Sequence, residues 1–107
     1  MAASEPALRY LGLAARAGAV VPGTERVREA VRADAAALVL LAADASDNSR
    51  DKLMPLLAAR GTPYAVAFSR AELGGAVGRS PLGAVAVTEP GLAGRIAAAL
   101  PRVEQRH

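Results

Sequence analysis

The residue types best suited to binding chemistry come together at the start of a predicted helix. Gly23 and Thr24 open this helix, and Arg26 follows in its first turn. A helix start leaves free backbone N–H groups at the positive end of the helix dipole, where a phosphate group binds well. The arginine adds a charged fork that matches phosphate geometry. These residues therefore predict an anion-binding site.

The outer side of the same helix has a second interpretation. It carries Glu25, Arg28, Glu29 and Arg32, at spacings of three and four residues that allow mixed ion pairs. Such a pattern is typical of any solvated helix face. The charged residues alone leave both interpretations open.

The sequence lacks the common catalytic motifs and any histidine-based catalytic set. Its one histidine, His107, is the last residue, where we do not expect it to be held for a triad or a metal cluster. It has no Gly-x-Ser-x-Gly elbow, no Walker loop and no Gly-x-Gly-x-x-Gly pattern. Gly74 is instead expected to allow close packing, and Gly78 to allow a turn with positive φ. We expect neither an enzyme nor a small-molecule cofactor.

A polar cluster follows the most apolar part of the chain. It consists of Asp44, Asp47, Asn48 and Asp51, but it lacks the glycine and the closing glutamate of a calcium loop. Helix caps and acids near a positive helix end explain the cluster more simply. We therefore expect no metal site.

The composition indicates the kind of partner. The 107 residues are 52% hydrophobic, enough for one modest core, and the net charge is +3. All basic residues except Lys52 are arginine. The positive charge favours nucleic acid as a partner. The preference for arginine over lysine has a second explanation, which is a compositional bias of the genome. Only Tyr10, Tyr64 and Phe68 are aromatic, which excludes a base-stacking platform of several rings.

Other classes of protein are disfavoured by what the sequence lacks. Without cysteine it has no disulfide and no thiolate metal site. Its apolar runs are too short to cross a bilayer, and no signal peptide is evident. We expect a cytoplasmic protein that does not bind membranes.

A central apolar run organises the elements that must position these residues. Residues 37–43 are uncharged and mostly apolar, and the run ends at Asp44; this is typical of a strand buried on both faces. Such a strand needs helices above and below it, and residues 23–33 and 46–60 are predicted to supply them. Pro55 predicts a kink or an irregular segment in the second helix. Function is expected in the loops at the strand ends.

The remaining segments continue the alternation of helices and short strands. They are a helix from Ser4 to Gly18, strands at 19–21, 64–68 and 84–88, a short helix from the capping box of Ser69 and Glu72 towards Val77, and a helix at 90–100. Pro22 is expected to stop the first strand, and residues 103–107 to form a loose tail. We predict a single three-layer α/β domain at residues 6–101, with short tails at 1–5 and 102–107.

Several segments, taken in order, resemble a known family. They are Leu11–Gly18, Gly23 at a helix start, Leu38–Asn48, Pro63–Tyr64, Ser69–Gly74 with Gly78, and Val85–Thr88. The set extends over nearly the whole chain, from Pro6 to Leu100. It resembles the kink-turn RNA-binding ribosomal proteins of the L7Ae and L30e type, above all their small bacterial YlxQ-like branch.

The resemblance implies a fold, an activity and a site. The fold is an α-β-α sandwich around a four-stranded mixed sheet, and the activity is binding of sharply bent RNA without catalysis. Family members use the start of the second helix, the loop after the central strand and the loop before the last strand. The RNA-binding residues implied here are Gly23, Thr24, Glu25, Arg26, Arg28, Glu29, Ala43, Asp44, Arg79, Pro81 and Leu82. Pro81 and Leu82 are expected to pack on a flipped-out base.

The sequence departs from the family pattern at the helix start. Glu25 stands where the best kink-turn binders have asparagine, Arg26 where they have glutamate, and Glu29 where they have lysine. Ala43 replaces an acid. A reversed charge at the lysine position repels phosphate, and Arg26 and Arg28 are the candidates to compensate.

Three hypotheses follow. The leading one is a non-enzymatic ribosomal or ribosome-associated protein, with structured, kink-turn-like RNA and translation-related proteins as partners. The second is a protein-interaction module of the same fold that has lost specific RNA binding, for which Glu25 and Glu29 argue. The third is an accessory domain of an RNA methyltransferase, although the chain has no room for the catalytic half.

Overall fold

The computed structural model describes residues 5–104, which form an open four-stranded sheet with helices on both sides. In chain order, the elements of this part are α1 (Glu5–Arg16), β1 (Val20–Pro22), α2 (Thr24–Arg32), β2 (Leu38–Leu41), α3 (Asp47–Arg60), β3 (Tyr64–Val66), α4 (Arg70–Ala76), β4 (Ala84–Val87) and α5 (Pro90–Ala98). The sheet order is β1-β4-β2-β3, with β2 and β3 parallel and the other pairs antiparallel. The predicted α/β sandwich around a mixed sheet is confirmed.

The two central strands form the middle of the core. Every residue of β2 and of β4 is buried, and their register sets Val39 opposite Ala86 and Leu40 opposite Val85. Burial on both faces requires a continuous apolar run instead of alternating apolar and polar residues. The strand predicted from residues 37–43 is confirmed, with shorter bounds.

The helices pack in two groups. α2 packs against α3, and α1 packs against α4 and α5. Leu11, Val31, Leu57 and Ile96, one from each of four helices, are almost completely buried, and each such side chain contributes about 1.5–3 kcal/mol by leaving water. Among the helices of residues 5–104, none has the length and apolar content needed to cross a bilayer.

Local signals fix the ends of α3 and α4. Ser46 Oγ accepts a hydrogen bond from the Ser49 N–H at 3.1 Å, at the start of α3. Gly61 ends that helix with a φ of 66°, a conformation that glycine adopts without strain. Ser69 and Glu72 form the predicted capping box at the start of α4, so this local signal is confirmed.

α3 continues through Pro55 without interruption. Proline cannot supply the N–H that would bond to the carbonyl of Asp51 four residues earlier. Both residues are exposed, so water can satisfy that carbonyl and the helix does not have to end there.

The first strand differs from its prediction because it includes Pro22. Pro22 pairs with Val85, and the strand begins at Val20, not at Ala19. β1 lies at the edge of the sheet, where a missing N–H on the outer side leaves no partner unsatisfied. Pro22 therefore belongs to the strand that it was expected to stop.

The third strand ends at Val66, two residues earlier than predicted. Phe68 has a φ of 68°, which turns the chain out of the extended conformation and is unusual for a bulky residue. The Phe68 carbonyl accepts a hydrogen bond from the Ala43 N–H at 2.7 Å. The turn thus links the end of β3 to the loop that follows β2.

The C-terminal segment is anchored as far as Glu104. The Tyr64 N–H donates to the Glu104 carbonyl at 2.9 Å, and the Glu104 N–H donates back at 2.6 Å. The prediction of a loose tail is therefore wrong for residues 103–104, because the free edge of β3 supplies backbone partners. The predicted cap Ser4 and the terminal His107 lie outside the described residues.

Candidate nucleic-acid interface

Three predicted segments meet at one end of the sheet. The Gly23 N–H donates to the Ala84 carbonyl at 2.9 Å, and the Ala42 N–H donates to the Gly83 carbonyl at 2.9 Å. These two bonds join the start of α2, the loop after β2 and the loop before β4. We call the surface formed by residues 23–29, 43–46 and 78–83 the rim. The structure thus brings together the stretches that contain every predicted site residue.

The start of α2 is open to a ligand. Gly23 is its N-cap, with a φ of 97° and no side-chain cap, and the first N–H to bond back within the helix is that of Val27, to the Gly23 carbonyl. Helices leave the N–H groups of their first turn without backbone partners. The N–H groups of residues 24–26 can therefore face an anion.

Thr24 has a structural task at this point. Its Oγ1 lies 2.9 Å from Ser49 Oγ of α3, and the pair is partly buried. A Cβ built on Gly83 would come within 3.2 Å of Thr24 Oγ1 and 3.1 Å of Ser49 Oγ. The absence of a side chain at position 83 therefore lets the loop before β4 lie close against this hydroxyl pair.

The loop after β2 is held from two directions. The Ala43 N–H donates to the Phe68 carbonyl, and Arg50 Nη2 donates to the Ala43 carbonyl at 2.9 Å. Both backbone groups of Ala43 are thereby satisfied within the protein. Position 43 shapes the rim without offering its own backbone polar groups to a ligand.

Asp44 is also engaged within the protein. Its Oδ1 accepts the Arg70 N–H at 2.8 Å, and its Oδ2 lies 3.6 Å from Arg70 Nε. The backbone N–H of Arg70 is the main cause that holds the pKa of Asp44 below its ordinary value. The Arg70 carbonyl in turn accepts the Leu82 N–H at 3.1 Å. Asp44 therefore connects the loop after β2 to the loop that precedes β4.

The loop before β4 presents a charged and a small apolar group. Arg79, Ser80 and Pro81 are exposed, while Leu82 is half-buried and packs against the core. The Arg79 N–H donates to the Gly74 carbonyl at 2.8 Å. Within this loop, Pro81 thus offers a more accessible apolar contact than Leu82.

α4 and this loop approach each other very closely. A Cβ on Gly74 would meet the Ser80 carbonyl oxygen at 2.2 Å, a separation that no side chain tolerates. Gly78 turns the chain with a φ of 75°. The structural roles predicted for both glycines are confirmed.

Some charged side chains of α2 form ion pairs within the protein, and others are exposed to solvent without one among residues 5–104. Glu25 Oε2 is hydrogen-bonded to Lys52 Nζ of α3, and Glu25 Oε1 lies 3.8 Å from Arg28 Nη1. The Lys52 ammonium is the main cause that holds the pKa of Glu25 below its ordinary value. Arg26 and Glu29 are exposed and form no ion pair within residues 5–104. Arg26 is thus the cation of the α2 start that remains available.

The rim has no constellation for metal chemistry. Within residues 5–104, no three acidic or histidine side chains come close enough together to hold a metal ion. Asp44, Asp47 and Asp51 are spread along the start of α3 and the loop before it. What the rim offers is backbone N–H groups, arginines and a small apolar loop.

Comparison with known proteins identifies the family. A sequence profile of the ribosomal protein L7Ae/L30e/S12e/Gadd45 family matches residues 6–96. The chain belongs to this family. The family predicted from the ordered segments is thereby confirmed, and the match spans both the rim and the sheet behind it.

Relatives of this L7Ae-family protein include one curated bacterial protein and two solved structures. The RNA-binding protein YlxQ of Bacillus subtilis (strain 168) is 41% identical over 86 residues, which cover 80% of this chain and 86% of that protein. A protein with unknown function from Bacillus halodurans is 33% identical with a TM-score of 0.82, covering 87% of this chain and 94% of that one. The Giardia lamblia 15.5kD RNA binding protein shares the fold, with a TM-score of 0.77 at 24% identity over 92% and 85% of the two chains.

Sequence reasoning about this L7Ae-family protein missed three side chains of α3 that bond to residues of the rim. Lys52 binds Glu25, Arg50 holds the Ala43 carbonyl, and Ser49 bonds Thr24. All three lie in the first two turns of α3, which the sequence placed only as a helix beside the central strand. The available signal was their position directly after the acidic loop, at the helix end nearest the predicted site.

Proposed function

We propose that this protein binds structured RNA through the rim, without catalysis. The observation that carries the proposal is the pair of backbone bonds, Gly23 to Ala84 and Ala42 to Gly83, that set an uncapped helix start beside an exposed loop. The net charge of +3 and the RNA-binding relative YlxQ support it. The proposed domain is residues 6–101, and cytoplasm is its proposed location.

The proposed contacts follow from the chemistry of each part. The free N–H groups of residues 24–26 receive a backbone phosphate at the positive end of α2, and the Arg26 guanidinium pairs with the same or the next phosphate. Arg79 adds charge from the loop before β4, and Pro81 packs on an unstacked base. Thr24, Ala43 and Asp44 act by holding the rim in shape.

A bent RNA fits this arrangement better than a straight duplex. Phosphates and an exposed base must be presented to one small surface, and A-form duplex buries its bases in the stack. A kink-turn-like helix–bulge–helix presents both, so we propose RNA of this class as the ligand. Ribosomal RNA and translation-related proteins are the proposed cellular partners.

A binding titration tests the proposal. The protein is titrated against a kink-turn duplex and an unbent duplex of the same length, at several salt concentrations. The proposal expects tighter binding to the kinked RNA that persists at moderate salt. Equal and weak binding to both, lost as salt rises, would leave only the sequence-independent electrostatic attraction.

A second candidate function is a protein-interaction module. Its supporting observation is the pair of acids Glu25 and Glu29, both exposed on the helix that begins at the rim. A pull-down from host lysate, with and without nuclease, separates the two functions. Protein partners that survive nuclease favour the module, and partners that are lost favour RNA.

A further inference from the structure

Glu25 of α2 forms ion pairs with basic side chains that could otherwise bind RNA phosphate. The Glu25 carboxylate is hydrogen-bonded to Lys52 and lies beside Arg28. Arg32, one further turn along α2, also contributes positive charge at this carboxylate. We call Arg28, Arg32 and Lys52 the cation cluster. Glu25 is the anion bound to this cluster across the α2–α3 contact.

The cation cluster is accessible from solvent next to the rim. All three of its residues line a cleft of about 460 Å³ between α2 and α3. The Lys52 and Arg28 side chains are 36% and 34% exposed, and Glu25 is 59% exposed. Glu25 lies in the first turn of α2 and Arg28 in the next turn, so a phosphate that reaches the start of α2 arrives beside this ion pair.

Displacing Glu25 from this cluster costs little. Exposed ion pairs contribute little to stability because water and salt screen them and long side chains lose freedom. A phosphodiester brings a full negative charge, and its neighbours along the RNA are held by the rim at the same time. The tethered phosphate thus competes at a high effective concentration.

We propose that Glu25 is an internal competitor for RNA phosphate, bound to Lys52 and Arg28 in the free protein and replaced there by a backbone phosphate in the complex. This inference rests on the proposed function. It makes Lys52 a phosphate ligand and makes Glu25, in addition to Glu29, a residue that lowers the affinity for RNA. Asp51 also lines the cleft, so the phosphate is expected on the α2 side of the cluster, away from that carboxylate.

Glu25→Gln tests the competitor directly. Binding of a kink-turn duplex is measured by fluorescence anisotropy at several salt concentrations. Removing the carboxylate is expected to tighten binding about twofold to fivefold. Lys52→Gln in the Glu25→Gln background is expected to remove most of that gain.

Asp34→Asn is the matched control. Asp34 also forms an exposed ion pair, with Arg60 Nη1 at 3.3 Å, but it lies past the far end of α2. Like Glu25→Gln, Asp34→Asn removes one negative charge and breaks one exposed ion pair. Asparagine also tolerates the positive φ of 56° at this position. We expect a change of less than about twofold. An equal gain in both variants means that net charge alone acts, and the inference fails.

Lys52 provides a direct signal because it is the only lysine. The ¹⁵N ammonium resonance of Lys52 is followed by NMR during titration with the RNA and, separately, with inorganic tripolyphosphate. Both titrations are expected to shift this resonance. In Glu25→Gln, a lower concentration of tripolyphosphate should be enough to shift it than in the unmodified protein. An acidic peptide that moves the resonance more strongly than the RNA overturns the inference in favour of a protein partner.

The two readouts separate the inference from the proposed function. RNA that binds while the Lys52 resonance stays unchanged refutes the competitor and leaves RNA binding in place. Tripolyphosphate that moves the resonance, with no RNA bound at low salt, supports the displacement of Glu25 by phosphate and refutes the proposed function.

Discussion

Gly83 lies directly against Thr24, so that a Cβ at position 83 would come within 3.2 Å of Thr24 Oγ1. This contact fixes the loop before β4 to the start of α2. The same glycine carries the carbonyl that accepts the Ala42 N–H. The loop before β4 therefore contacts both of the other parts of the rim at this one small residue.

Gly83→Ala is expected to weaken RNA binding. The added methyl group presses on Thr24 Oγ1 and Ser49 Oγ, and small overpacking of this kind costs about 1–3 kcal/mol. Titration with the kink-turn duplex and urea unfolding measure the two effects. Gly94→Ala is the control, because a Cβ there meets nothing within 4 Å and alanine favours the helix by about 0.5–1 kcal/mol. Equal binding by both variants would contradict a role for this contact.

Gly74→Ala is expected to destabilise the protein strongly, while its neighbour Gly75→Ala is not. A Cβ at position 74 would overlap the backbone oxygen of Ser80 at 2.2 Å, whereas one at position 75 has open space. Backbone atoms cannot rotate away as a side chain can, so we expect a loss of about 2–3 kcal/mol for the first variant. Urea unfolding monitored by circular dichroism compares the pair. Similar midpoints for the two variants would be inconsistent with the close packing of α4 on its loop.

Arg26→Ala and Arg79→Ala are each expected to weaken RNA binding. Loss of a phosphate contact lowers the affinity for every RNA sequence. It also reduces the slope of log affinity against log salt concentration by about one unit. Arg95→Ala serves as the control, because Arg95 is exposed on α5, in the other group of helices. If all three variants lose affinity equally, the arginines act only through net charge.

Glu29→Lys is expected to strengthen RNA binding. Glu29 is exposed, forms no ion pair within residues 5–104 and stands at the position of a family lysine. Reversing its charge replaces repulsion of phosphate by attraction, and we expect a gain of about tenfold. The kink-turn titration measures it. An unchanged affinity would show that the proposed contact surface is misplaced.

Acid is expected to destabilise the protein through three exposed carboxylates. The pKa of Glu25 is lowered chiefly by Lys52, that of Asp44 by the Arg70 N–H, and that of Glu89 by the N–H groups of Leu92 and Gly91. A lowered pKa in the folded state means that the stabilisation is complete above the ordinary carboxyl pKa of about 4 and is lost as the pH falls below it. Urea unfolding between pH 7 and pH 3 measures this loss. Glu89→Gln should be less stable than the unmodified protein at pH 7, and its free energy of unfolding should depend less on pH. If the pH dependence of the free energy of unfolding is unchanged in this variant, other groups cause it.

Much of the fold was readable from local patterns because each pattern has a local cause. The apolar run at 37–43 predicted the buried strand, and the capping box of Ser69 and Glu72 predicted the start of α4. The exceptions are positions where the neighbour in space decides. Pro22 is accepted in β1 because that strand is at the edge of the sheet, and Glu104 is ordered by the free edge of β3.

The sequence by itself determined the α/β architecture, the family and the helix start at Gly23, because periodicity, caps and glycine positions act within a few residues. Only the tertiary structure decided which charges are free. Lys52 lies 27 residues from Glu25 and reaches it because α3 packs on α2, and Asp44 reaches Arg70 across the loop after β3. Ion pairing depends on distance in space, which spacing along the chain does not encode. Within residues 5–104, this pairing engages Glu25 and leaves Arg26 without an ion-pair partner.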